Sequence, residues 1–89
     1  MPQTLEKFLG YIIYFWFEPK EPIHVHVCKG HPHEGATKIW ITENGAELAH
    51  NNSGIPKKDL KKIMQYITSN KNRVIADWLF RNQSGELKR

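Results

Sequence analysis

In the run Ile23-His24-Val25-His26-Val27-Cys28, polar and apolar residues alternate. An extended chain puts His24, His26 and Cys28 on one side and the valines on the other. Imidazoles two residues apart on a strand stand about 6–7 Å from each other, a spacing that allows joint ligation of a divalent metal or paired acid–base work. A metal needs a third ligand, and the nearby candidates are Glu18, Glu34 and His50. The same run approaches the alternating histidine triad of nucleotide hydrolases, but Cys28 stands where the third histidine would be. His31 and His33 flank Pro32 in a turn and read as solvated.

The elements that must position these residues follow from periodicity. Gly10 to Phe17 is β-branched and aromatic throughout and reads as a strand apolar on both faces, ended by Glu18-Pro19. Ile23 to Cys28 is the second strand and Ala36 to Glu43 the third. Asn44-Gly45 reads as a hairpin turn leading to a short fourth strand that ends near His50. Pairing residue 25 with 41 and 27 with 39 puts Val25, Val27, Ile39 and Ile41 on one face. The other face then carries His24, His26, Cys28, Lys38 and Trp40 together.

Leu60, Ile63, Met64 and Ile67 form one stripe at helical spacing, with Pro56 at the start. Val74, Ile75, Trp78 and Leu79 resume the stripe after a weak stretch, so a bend is expected near 69–72 and a second helix to about Asn82. The fold expected is α+β: an antiparallel meander of three or four strands with a C-terminal helix or helix pair packed on one face. It forms one domain over 1–89, ordered from about 8 to 82, with a frayed tail at 83–89.

Charge is unevenly distributed. Residues 1–54 carry four basic against six acidic side chains, and residues 55–89 carry nine basic against three acidic, for a net +4. The basic C-terminal third could meet phosphate or an acidic protein, and within it Lys57, Lys58, Lys61 and Lys62 lie opposite the apolar stripe, as a solvated face or as contacts for nucleic acid. A lone cysteine excludes an internal disulfide, and the longest uncharged run, Phe8 to Phe17, is ten residues, half a membrane span. A reducing cytoplasm and no membrane association are therefore expected. Gly-rich phosphate loops, nucleophile elbows and Cys-x-x-Cys pairs are all missing from the sequence.

Glu21-Pro22-Ile23-His24-Val25-His26-Val27, followed by Lys38-Ile39-Trp40, Glu47-Leu48-Ala49 and a helix ending near Trp78, resembles a bacterial family catalogued as domain of unknown function 4160. The resemblance covers about residues 8–80. It implies a small cytosolic protein encoded beside another small protein in a toxin–antitoxin-like layout, and it implies no established catalytic residue; no cofactor is expected beyond a divalent metal that His24 and His26 could hold.

Two classes of function stand open on this reading. In the first, the chain is an interaction module, and the His24/His26/Lys38/Trp40 face and the doubly apolar first strand are covered by the neighbouring-gene protein or a second copy. In the second, it is an enzyme acting on nucleic acid or a small molecule, with His24, His26 and Lys38 as acid–base groups or His24 and His26 as metal ligands. Either use requires the histidines to be partly solvent-accessible and mostly neutral beside Lys38. Exchanging both for Gln should then cost within about 1 kcal/mol.

Overall fold

The structure is a computed structural model that describes residues 3–16, 21–33, 35–82 and 85–88. Five strands, β1 (Gln3–Phe8), β2 (Tyr11–Phe15), β3 (His24–Cys28), β4 (Thr37–Thr42) and β5 (Gly45–His50), precede two helices, α1 (Lys57–Ser69) and α2 (Lys71–Asn82). Neighbouring strands are antiparallel and their spatial order is the chain order. The fold is α+β, a meander followed by a helix pair, with five strands where the sequence suggested three or four.

The added strand is β1. Its Glu6-Lys7 pair breaks any alternation, and its connection to β2 lacks an Asn-Gly signal. Leu9 and Gly10 nevertheless form a two-residue turn with both φ values positive, 54° and 81°, which suits the twist of a tight hairpin. As an edge strand β1 needs little apolar surface. Phe8 stacks on Tyr66 of α1 at 4.1 Å between ring centroids, and Glu6 pairs with Arg73 of α2. A bulge between Thr4 and Glu6 further blunts the edge.

The strand pairing departs from expectation by two residues. Val25 lies opposite Ile39 and Val27 opposite Thr37, not opposite Ile41 and Ile39. Ile41 donates its backbone N–H to Ile23 O at 2.9 Å instead. The observed register buries Ile23 as a further apolar residue alongside Val25, Val27, Ile39 and Ile41, all at 1% exposure or less. A shift of two keeps every side chain on its face, so the grouping of His24, His26, Lys38 and Trp40 survives.

The β4–β5 turn is also displaced. Thr42 pairs with Gly45, so Glu43-Asn44 form the turn and Gly45 follows it at φ 143°. Helix α1 dictates this, because an added Cβ at Gly45 would lie 2.7 Å from Thr68 Cγ2. Glycine is required twice there, for the backbone angle and for the approach of the helix.

Ile63 and Ile67 of α1 and Val74 and Trp78 of α2 seal the core formed by Val25, Val27, Ile39 and Ile41. The expected bend falls at Asn70, the single residue between the helices, whose side chain donates to Tyr66 O at 2.8 Å. Leu79 was expected in the apolar stripe but is 40% exposed beside Phe80 at 86%. The tail, read as frayed, is held in its described part. Glu86 O accepts from Ile23 N at 2.8 Å, and Lys88 N donates to Ile41 O at 2.9 Å. No helix among the described residues is long and apolar enough to cross a membrane.

Gly45→Ala should destabilise the protein by about 2–4 kcal/mol in urea titrations, from backbone strain and the clash with Thr68 together. Adding Thr68→Ala should recover the steric part only. A loss under about 1 kcal/mol for Gly45→Ala would contradict the close approach.

Candidate functional site

Alternation on β3 and β4 brings His24, His26, Lys38 and Trp40 together on the sheet face opposite the valines. His24 pairs with Trp40 and His26 with Lys38 across the strands. The imidazoles are perpendicular neighbours with centroids 5.2 Å apart, and His24 meets the rings of Trp40 at 5.5 Å and Trp78 at 5.3 Å. The Lys38 ammonium lies 4.5 Å from the centre of the Trp40 ring and forms an ion pair with Glu21.

The face is not open. His24 and His26 are 0% and 1% exposed, Lys38 is 7% exposed, and only Trp40 is half-buried. The expectation of partly accessible imidazoles is overturned: His24 is enclosed by the rings of His26, Trp40 and Trp78 of α2, and His26 by Tyr14 and the backbone at Ala36. Tyr14 on β2 stacks on His26 at 5.7 Å. Its hydroxyl donates to His33 O at 2.6 Å and accepts from His33 N at 3.0 Å. That pair of hydrogen bonds ties the β3–β4 loop to β2. Cys28 Sγ donates to His31 O at 3.4 Å, and Tyr14, Cys28 and Ala36 form a second small core with Ile12 and Trp16 against it. The doubly apolar strand is thus covered on its second face by the chain itself. His31 and His33 are exposed, as their turn suggested.

Each histidine also bonds to a backbone carbonyl through Nδ1, His24 to Pro22 O at 2.8 Å and His26 to Ala36 O at 3.3 Å. A carbonyl only accepts, so Nδ1 carries the proton in both rings. Pro22 and Ala36 lie in the two connections that flank β3, so the imidazoles fasten those connections to the sheet.

Of the suggested third metal ligands, Glu18 and Glu34 lie outside the described residues. His50 lies beyond Lys38 on β5, two strands from His26 and about 10 Å away at ordinary strand spacing. No group of three His, Cys, Asp or Glu among the described residues is placed to hold a metal ion.

A polar knot that the sequence did not signal ties β4 to the loop before α1. Asn51 Oδ1 accepts from Thr37 Oγ1 at 2.7 Å and from Ile55 N at 3.0 Å, and its Nδ2 donates to Ile55 O at 2.9 Å. Ser53 Oγ accepts from Thr37 N at 3.0 Å, while Ser53 N donates to Thr37 Oγ1 at 3.1 Å. Asn51-Asn52-Ser53-Gly54 has turn composition, but only the fold shows that Thr37 is its partner. Tyr11 on β2 donates to Asp59 of α1 at 2.8 Å. Lys57, Lys58, Lys61 and Lys62 are exposed on α1, away from the histidines.

With both rings buried and bonded to backbone, His24→Gln/His26→Gln should lose about 2–4 kcal/mol of unfolding free energy, against the near-neutral change expected of a surface pair. A loss under about 1 kcal/mol would show that the imidazoles are not structural. Tyr14 supplies a pH signature. Burial, with Cys28 beside it, pushes its hydroxyl well above the usual 10.0, outweighing the opposing His33 backbone bond. Tyr11 is raised as well, by burial and then by Asp59. A raised acid holds its proton longer in the folded chain. Stability should therefore be intact below pH 10 and fall above it, by up to about 1.4 kcal/mol per pH unit for Tyr14. Tyr14→Phe should be less stable at pH 7 but show a shallower alkaline slope in urea titrations. An unchanged slope would count against the buried phenol.

No curated protein and no solved structure matches the chain. A family model described as a domain of unknown function, DUF4160, matches residues 10–79, from the β1–β2 turn through most of α2. That span holds His24, His26, Lys38, Trp40 and the covering Tyr14, and over it the chain belongs to the DUF4160 family.

Proposed function

We propose that the chain is an interaction module of a bacterial, cytoplasmic, toxin–antitoxin-like two-protein system, and that its recognised partner is another protein. The burial of His24 and His26 carries this reading. General acid–base chemistry and metal ligation both need imidazole nitrogen within reach of a substrate or ion. Here the rings of Tyr14, Trp40 and Trp78 enclose the imidazoles, and each Nδ1 is bonded to backbone. A binding role needs none of that chemistry. Of the strand face, Trp40 supplies the contact, with its neighbours His24 and Lys38 orienting it from beneath. A half-buried tryptophan on a rigid strand is a common anchor for a protein partner. Cys28, buried and reduced, fits a cytoplasmic setting without a role of its own.

Co-expression with the product of the adjacent gene tests the reading. A complex stable through size exclusion is expected, and Trp40→Ala should weaken it about tenfold or more while leaving the isolated chain folded. A stable monomer that ignores its neighbour would overturn the proposal. Turnover of a nucleotide or nucleic acid that disappears with His26→Gln, in a variant shown to be folded, would favour the enzyme instead.

A further inference from the structure

We propose that the groove between α1 and β5 is the docking site for an acidic segment of a partner protein that also carries apolar side chains. This deepens the protein-binding reading and rests on it. The groove holds ≈ 680 Å³, with Leu48, Leu60 and Met64 as its floor and Lys57, Lys58 and Lys61 along its rim. Leu48 is 38% exposed although it faces the side of the sheet where Ile39 is fully buried. Methionine and leucine side chains on an open floor accommodate varied apolar partners.

The lysines set the charge of the occupant, because their positions are locally unfavourable. Lys57 and Lys58 occupy the first turn of α1, where the helix dipole disfavours cations. Lys57 with Lys61, and Lys58 with Lys62, are like charges at i, i+4. Only Asp59 opposes them in that turn, and its carboxylate already accepts from Tyr11. Carboxylates laid along the rim would relieve both strains at once. The floor favours an acidic protein over a nucleic-acid duplex, whose phosphates would face the lysines and leave Leu48, Leu60 and Met64 uncovered.

The test uses the full chain, isotopically labelled, and a synthetic peptide of about fifteen residues carrying leucines among glutamates. Its controls are the same peptide with lysine for glutamate, and a duplex DNA and a single-stranded RNA of about twenty nucleotides. The acidic peptide should shift backbone signals at Leu48 and from Lys57 to Gln65, and bind at least about tenfold tighter than the lysine peptide. Lys57→Glu/Lys58→Glu/Lys61→Glu should weaken it by a similar factor while remaining folded, because acidic residues at 57 and 58 suit the first turn and the one at 58 faces Lys62 at i, i+4. Leu48→Ser should weaken it independently of salt. Equal binding of the two peptides, or shifts confined to other surfaces, would overturn the inference. So would a nucleic acid that displaces the peptide from these residues, which would assign the lysines to phosphate. The charge-reversed variant, co-expressed with the adjacent gene product, separates this inference from the broader reading. Retention equal to wild type leaves the module standing and removes the groove. Loss of binding in the variant alone supports the groove, and a wild-type chain that retains nothing defeats the broader reading.

Discussion

Strand β3 is covered on both faces, and most of the molecule is arranged around that constraint. Val25 and Val27 lie in one core with Ile63, Ile67, Val74 and Trp78, while His24 lies against Trp40 and Trp78 and His26 against Tyr14. An antiparallel sheet in a chain this short ordinarily leaves one face to solvent. Here the second face carries groups that must keep hydrogen bonds when buried, and the two flanking connections provide carbonyls for them. The histidines are therefore joints between the sheet and its own loops. Their burial converts a pattern that looks chemical into one that is architectural.

Tyr14 is the other half of that arrangement. It stacks on His26, contributes to the small second core and both donates to and accepts from the His33 backbone. A tyrosine can do all three because its ring is apolar and its tip polar. The knot of Thr37, Asn51 and Ser53 plays a similar role at the far end of β4, holding the loop that delivers α1 to the sheet. Polar contacts between strand and loop thus determine where the helices land, and apolar contacts make that placement stable.

What the molecule presents outward follows from what it encloses. With His24 and His26 inside, the described surface includes Trp40 on the strand face, the lysines of α1, the apolar floor between α1 and β5 and the solvated His31 and His33. Those features recognise shape, charge and apolar surface, which is the vocabulary of binding. The exposed Leu79 and Phe80 on α2 lie apart from both surfaces in the chain and show how incompletely two short helices bury a stripe drawn from periodicity alone.

Sequence alone determined the class of the fold, the strands β2 to β5, the helix pair with a break within 69–72, and which side chains of β3 and β4 share a face. Those are consequences of period-two and period-3.6 patterning, and they hold wherever the strands finally pair. Tertiary structure decided what patterning cannot encode. The register moved by two residues because Ile23 could also be buried opposite Ile41, and a shift of two leaves alternation unchanged. Strand β1 formed at an edge, where Phe8 and Glu6 find partners on the helices, so its own sequence needed no strand pattern. Above all, a face is open or closed according to what packs on it from elsewhere in the chain. Here Trp78 of α2 reaches His24, and Tyr14, nineteen residues before His33, stacks on His26 and ties the loop after Cys28 back to β2. Alternation could place the two histidines side by side; only the folded chain could put them out of reach of solvent.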